Sequence, residues 1–443
     1  MKKIFLLSLA CLPAFCSIFA ENAKSNGELR EYDRSSLATM MVYHSDDEFG
    51  KDIYEAFDSV PMPDKYNDHN FGYRVIFNDS IQGVVRKKRG LIKADYGKTL
   101  TSSDIKKNAK ALENVLNDAE CAKYIIAKWF NLQGNDVSDA TFDVSLVQER
   151  GQYNATEMDV AIAQQSARGL AMLSDAGEDL IGNTFILVND ITYVTAEERA
   201  AAAKVAMNVL GAIFDGLFGG DSGSQMAAAA GEVADSFTGF TVRTHSYLFQ
   251  LDWNDSIAAI FYKNYYTSTP NAEKVGNFLL DSTSFRLKYV AHEYEFDAKS
   301  TLKGKYDRKD LIKIVCARSM DKNIAALQLQ YEDFKVKTPV YDVIVDGKKT
   351  RYAAKIGLKE GISEKSKFQV VQRIVDPETN RTKYKYVATV KPVKGKIWDN
   401  RYMAASEHDE GSELTYTTFE KTSGGEILPG MLLIEGKYRK VQE

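Results

Sequence analysis

The middle of the chain carries two long runs of apolar and β-branched positions that predict paired strands. The first covers Thr184–Val188 and continues to Thr195, and the second covers Phe240–Leu251. Runs of β-branched and aromatic residues bounded by turn-forming residues are typical of strands. Between the two runs, residues 200–239 are rich in alanine and nearly uncharged, and a glycine-rich turn interrupts them. We therefore predict two core strands separated by an inserted helical hairpin.

Apolar positions spaced three and four residues apart predict helices elsewhere. The longest such stripe spans residues 103–131, as one buried helix face requires. A second helix is expected from Thr156, where Thr156-Glu157-Met158-Asp159 fits a capping box. Leu37, Met40 and Met41 predict a helix within residues 35–49, and a further helical pattern begins at Asp307.

Short apolar runs between these helices predict further strands. Those in the first three quarters of the chain are Phe71–Phe77, Phe142–Val147, Ile257–Tyr266 and Phe285–Phe296. After Asp342 only strands and turns are expected, the clearest being Arg351–Gly357, Lys367–Val375, Lys383–Val393 and Met431–Tyr438. Several short strands at regular spacing predict a small β-barrel.

Together these patterns predict an α+β protein with several domains. A length of 443 residues, 44% of them hydrophobic, exceeds one ordinary core. We expect a polar, disordered leader at 21–34, a mostly helical N-terminal region at 35–140, a mixed α/β central domain at 141–338 and the β-barrel at 339–443. The Ala-rich insert, 200–239, belongs to the central domain.

The first twenty residues resemble an export signal. Met1-Lys2-Lys3 precedes the apolar run Ile4–Ala10, and small residues near Ala20 suit cleavage there. The expected location is the periplasm, the outer membrane or the medium. An uncleaved anchor is the alternative, and Cys16 raises lipidation, although Pro13-Ala14-Phe15 departs from the usual lipidation pattern.

Charge and cysteine content exclude several classes of function. Removal of residues 1–20 changes the formal charge from −4 to −6, because Lys2 and Lys3 are lost. A net negative chain has no general field to attract phosphates, so nucleic-acid binding is not expected. Cys121 and Cys316 are far apart in sequence, and they either pair or stay buried as thiols. No metal site and no cofactor are predicted.

The last hundred residues resemble the small β-barrel that closes flagellar assembly protein T. The resemblance rests on Ile356-Gly357-Leu358-Lys359-Glu360-Gly361 before Lys367–Val371, and on Ile427-Leu428-Pro429-Gly430-Met431 near the end. It implies a barrel fold and fits envelope-associated assembly proteins, with no flagellar role implied.

No catalytic set emerges from the motifs. Gly220-Asp221-Ser222-Gly223 resembles a protease nucleophile loop, but only His44 and His69 precede it, and neither lies in a suitable context. His245 and His292 each lie within a predicted strand and are interpreted as structural. We therefore expect no catalytic residue, with Ser222 as a turn between helices.

Two segments are candidates for partner contact. Aromatic and arginine side chains anchor many interfaces, and the cluster Trp398, Asp399, Asn400, Arg401 and Tyr402 combines both; the alternative is a tryptophan packed in the barrel. The other segment, 205–218, carries Phe214, Leu217 and Phe218 and either packs on the sheet, binds a protein or inserts into a membrane. The expected function is a non-enzymatic, exported envelope scaffold, assembly factor or partner-binding protein. The alternatives are a membrane-active or pore-type oligomer and a secreted hydrolase.

Overall fold

The fold is described from a computed structural model. It describes residues 35–63, 65–72, 74–78, 81, 100–153, 180–194, 237–302, 306–347, 349–375, 382–404 and 414–436. The predicted leader, the helix from Thr156, Ser222 and most of the insert lie outside these ranges.

Six strands form the first sheet. They are β1 (Ser36–Tyr43), β2 (Asn67–Asp68), β3 (Val75–Phe77), β4 (Thr184–Tyr193), β5 (Phe237–Leu251) and β6 (Leu287–Leu302). Strand β1 pairs in parallel with β2, β3 and β4, and β4, β5 and β6 follow in antiparallel order. The predicted core strands are thus confirmed as neighbours, with Asp190 opposite His245.

Helices cover both faces of this sheet. They are α1 (Gly50–Ser59), α2 (Ser102–Asp118), α3 (Cys121–Trp129), α4 (Ser145–Tyr153), α5 (Asp255–Asn264), α6 (Ala272–Leu280) and α7 (Arg308–Gln330). Residues of α2, α3, α5 and α6 share a core with the side of the sheet that carries Val188 and Tyr247. Helices α1 and α7 pack with Met41, Ile191 and Val242 on the opposite side.

The helix predicted within 35–49 is wrong, because that stretch forms β1. Leu37, Met40 and Met41 have helical spacing, but all positions from Ser36 to Val42 are buried. A strand covered on both faces is apolar throughout and shows no alternation. Its sequence therefore cannot be distinguished from a buried helix by periodicity alone.

Some of the other predicted helices and strands are confirmed, and others are wrong. The helical stripe of 103–131 is confirmed as α2 and α3, which a left-handed Glu120 (φ 56°) separates. The strand predicted at Ile257–Tyr266 is wrong: the side chain of Asn254 caps the first turn of α5 by accepting from the backbone of Ser256 and Ile257. The strand at Phe142–Val147 is also wrong, because α4 begins at Ser145. The patterns that start at Phe285 and Asp307 are confirmed as β6 and α7.

Seven strands form the second sheet. They are β7 (Thr338–Pro339), β8 (Asp342–Asp346), β9 (Lys349–Ala354), β10 (Phe368–Val375), β11 (Thr382–Pro392), β12 (Thr417–Gly424) and β13 (Leu432–Glu435). Their order is β7-β13-β10-β11-β12-β9-β8, all antiparallel, and the sheet curls into a half-barrel. The chain crosses between its edges at Val340 and Tyr341, whose amides donate to Met431 and Ala353.

The α+β class is confirmed. The regions predicted separately as 35–140 and 141–338 share the first sheet, since β1 lies beside β4. No helix in the described ranges is long and apolar enough to cross a membrane.

Candidate functional site

The half of the molecule that contains the second sheet packs against the half that contains the first sheet along a polar contact. We use the term seam for the contact of α7 and residues 61–63, 65 and 66 with residues 357–361 and 398–402. Arg318 of α7 donates through Nε and Nη2 to the backbone oxygen of Tyr402, at 3.1 and 2.6 Å. Because Arg318 is nearly buried, these hydrogen bonds fix the second sheet against the helix.

The predicted partner cluster lies in this seam. The backbone oxygen of Trp398 accepts from Leu358 at 2.9 Å. Asp399 and Arg401 form a two-point ion pair, with Nε–Oδ1 and Nη2–Oδ2 distances of 2.8 and 2.7 Å. Asn400 donates to Glu360 Oε2. The cluster is half-buried and organises an internal contact. The other candidates, Phe214, Leu217 and Phe218, lie outside the described residues.

A buried ion pair crosses the seam. The side chain of Lys65 is fully buried, and its Nζ lies 4.0 Å from Glu360 Oε1. Neither of these two atoms has a hydrogen-bond partner within the described residues. The other oxygen, Glu360 Oε2, accepts from the amide of Gly357 and from Asn400. Ion pairs buried in this way contribute little net stability but are costly to break.

Beside the ion pair, the seam encloses a cavity of about 170 Å³. We call it the seam cavity. Its described walls come from β1, α1 and the residues after it, β4, α7 and two segments that connect strands of the second sheet. Its lining includes Thr39, Phe57, Val60, Arg74, Met320 and Asn400. Both halves of the molecule therefore contribute to one pocket.

Arg74 supplies a positive charge to this cavity. Its Nε donates to the backbone oxygen of Thr39 at 3.2 Å, and its Nη2 donates to Thr39 Oγ1 at 2.8 Å. The guanidinium carbon lies 4.7 Å from the ring centre of Phe57. Burial lowers the pKa of Arg74, while Asp58 and Asp68 act in the opposite direction. The group stays charged near neutral pH, because an arginine starts above pKa 12.

A second polar group lies on the first sheet, on the side covered by α2 and α3. His44 Nε2 lies 2.5 Å from Asp190 Oδ1. Asp190 is opposite His245 in the β4–β5 register, and His245 Nδ1 lies 3.0 Å from His292 Nε2. The ring of Tyr294 lies 4.7 Å from that of His245. We call His44, Asp190, His245 and His292 the histidine row.

Burial controls the protonation of two members of this row, His245 and His292. It lowers the pKa of His245 to about 4, with Asp190 acting against it and Arg243 with it. Burial also lowers the pKa of His292 to about 3, and His245 adds to that shift. Two neutral imidazoles can share one hydrogen bond, since one donates and the other accepts.

Sequence reasoning missed the histidine row. Each of His245 and His292 is interpreted by itself as structural, and His44 lies in no catalytic context; only the pairing of the strands brings the three together around Asp190. Nothing in the described part of the chain forms a group of three or more ligands that could hold a metal ion. Cys121 and Cys316 are both buried, and no disulfide joins them in this structure.

A scan against protein-family models and a search of curated proteins found no match for this chain.

Proposed function

We propose that the protein is an exported, non-enzymatic cell-envelope protein that binds a partner protein through an edge strand of its second sheet. The observation that carries the proposal is the exposed edge at β8. Within the described residues β8 pairs with β9 alone, and the side chain of Val345 is 72% exposed. An open strand edge is a template for an added strand from another chain.

The chemistry of β8 favours a different protein over a second copy. The strand reads Asp342-Val343-Ile344-Val345-Asp346, with an acid at each end. Two copies paired antiparallel around Ile344 would place Asp342 opposite Asp346, and like charges directly opposite each other are destabilising. The favoured occupant is an extended, apolar segment flanked by Lys or Arg.

The fixed position of the second sheet supports the same role. Arg318 and Tyr402 hold this sheet on α7, so β8 is presented from a rigid base. The resemblance of this region to the barrel of flagellar assembly protein T points to assembly proteins too, as an analogy of fold.

In-cell photo-crosslinking tests the proposal. A photoreactive amino acid is placed at Val345 in the full chain, and a matched control carries it at Leu280, which is 84% exposed on α6. We expect one discrete adduct with another envelope protein at position 345 only, in the exported fraction. Asp342→Lys should weaken that adduct without lowering the melting temperature.

Three outcomes would contradict the proposal. An adduct of twice the chain mass would identify a second copy as the occupant. Equal labelling from positions 345 and 280 would show collision without a specific surface. Recovery of the full chain in the cytoplasm alone would exclude a role in the envelope.

A further inference from the structure

The seam cavity has the features of a small-molecule site, separate from the β8 edge. A volume of about 170 Å³ is close to that of cavities that hold one benzene-sized molecule, about 150 Å³. The lining residues that the structure describes come from both halves of the molecule. A ligand there would contact α1, α7 and the segments around Lys359 and Asn400 that connect strands of the second sheet.

The polar side chains in the wall differ in how many hydrogen bonds they have left for a ligand. Asn189 Nδ2 donates to the backbone of Met40 at 3.3 Å, and its Oδ1 accepts from Ser246 at 2.7 Å. Asn400 is similarly occupied, since it accepts from the amide of Lys359 and donates to Glu360. These amides shape the cavity, and their hydrogen bonds are already committed.

Arg74 differs from the amides. Thr39 engages Nε and Nη2, and within the described residues no hydrogen bond engages Nη1. Thr39 is itself fixed, because its amide donates to Asn70 Oδ1 at 2.8 Å. The guanidinium is thus oriented before any ligand arrives, which reduces the entropy lost on binding.

The remaining wall is mostly apolar. Phe57, Leu187, Met320 and Ile324 line it together with two prolines, Pro61 and Pro63. Among the described lining residues, the charged ones are Arg74, Lys359 and Asp321. Two cations against one anion favour a ligand with a single negative charge, and apolar walls favour a compact hydrocarbon body.

We propose that the seam cavity binds a small organic monocarboxylate, with its carboxylate on Arg74 and its apolar body against Phe57 and Met320. A carboxylate suits the planar fork of an arginine. An inorganic anion such as phosphate has no part that could use the apolar wall. Bound ligand would bridge the two halves of the protein and stabilise the seam.

Isothermal titration with defined probes tests this site on the mature protein. The probes are benzoate and isovalerate, with the neutral amides benzamide and isovaleramide and inorganic phosphate as matched comparisons. We expect both carboxylates to bind and to raise the melting temperature, with the amides and phosphate at least about tenfold weaker, the loss typical of one charge-assisted hydrogen bond.

Three variants locate the binding. Arg74→Gln removes the charge and should weaken carboxylate binding by about tenfold or more. Val60→Phe leaves Arg74 in place but fills the cavity, so it should abolish binding even if Arg74→Gln folds poorly. Lys51→Gln removes a cation from the exposed side of α1, where its side chain is 81% exposed, and should change nothing.

Several results would overturn the proposal. They are equal binding of an amide and its carboxylate, tighter binding of phosphate, no binding by either carboxylate, or binding that persists in a folded Val60→Phe variant. The Val345 crosslinking experiment does not involve this cavity, so either proposal can fail without the other.

Discussion

His44 and Asp190 hold the ends of β1 and β4 together through one short contact, 2.5 Å between Nε2 and Oδ1. His44 is 5% exposed, so the contact lies in the protein interior. Asp190 also faces His245 across the next strand pair. One carboxylate therefore lies between imidazoles from two different parts of the sheet.

Removal of this carboxylate should destabilise the fold. Asp190→Ala leaves His44 without its partner, and an unsatisfied buried polar group costs about 1–3 kcal/mol. Asp190→Asn keeps an acceptor oxygen and should cost less. The measurement is the urea midpoint with the slope held constant.

Lys51→Ala is the matched control for Asp190→Ala. It removes an exposed ion pair with Glu55, 3.7 Å long, and pairs of this kind contribute about 0–1 kcal/mol. Equal midpoints for Asp190→Ala and Lys51→Ala would show that the His44 contact adds nothing to stability.

Strand register explains why the sequence did not reveal this contact. Alternation along β5 places His245 and Tyr247 on one face, and that much is predictable. Which β4 residue faces His245 depends on pairing across a connection of more than forty residues. A one-residue slip would put Asp190 on the opposite face, and no local spacing decides between the two registers.

At the seam, too, the residue types can be predicted from the sequence, but the surface that they contact cannot. The chemistry of the cluster at Trp398–Tyr402 is visible in the sequence, and so are the strands around it. The surface that it meets depends on how α7 packs, and α7 is buried at positions as different as Ile314, Arg318 and Asn323. Periodicity cannot predict which residues of such a helix meet another element, because its buried positions surround it and include polar residues.

Stability should fall on mild acidification, because burial holds His245 and His292 neutral. The folded pKa of His245 is about 4 and that of His292 about 3, against about 6.5 in the unfolded chain. The unfolded state therefore binds more protons below pH 6.5, so the stability present above that pH is lost as the pH falls toward 4. In the described part of the chain, the titratable or charged side chains near the pair include Arg243, Asp190, His44, Tyr247 and Tyr294.

Melting temperatures between pH 7.5 and 5 measure this effect before most carboxylates titrate. A His245→Gln/His292→Gln variant should show a shallower decline across that range. Some decline remains, because burial also holds the pKa of His69 well below its usual value, and Arg150 and Lys128 reinforce that shift. Equal slopes for the variant and the parent would contradict the assignment to His245 and His292.

The buried pair in the seam should be costly to break and inexpensive to replace. Glu360→Ala leaves the charge of Lys65 uncompensated and removes the acceptor for Gly357 and Asn400, so a loss of about 3–5 kcal/mol is expected. Lys65→Met combined with Glu360→Gln removes both charges and keeps an acceptor, so it should fall within about 1 kcal/mol of the parent. Urea titrations measure both variants.

Glu364→Ala provides the surface control for the seam variants, because Glu364 is exposed nearby. A Glu360→Ala loss no larger than that of the control would show that Lys65 is solvated. If the double variant is as unstable as Glu360→Ala, the two charges stabilise the fold by more than neutralising each other, and the prediction is wrong.

The two thiols of the core should remain reduced and unreactive in the folded protein. Cys121 lies in the core with Trp129 and Tyr247, whereas Cys316 packs with Ile191 on the other side of the first sheet. The sheet separates them, so a disulfide cannot form without unfolding. Burial also withholds a thiol from attack, because reaction needs an accessible thiolate. For a folded chain that begins at residue 21, Ellman's reagent should detect no thiol, and it should detect two in denaturant without reductant, while Val345→Cys reacts at once. A denatured, unreduced chain with no reactive thiol would instead establish a Cys121–Cys316 bond and require a different packing of α3 and α7.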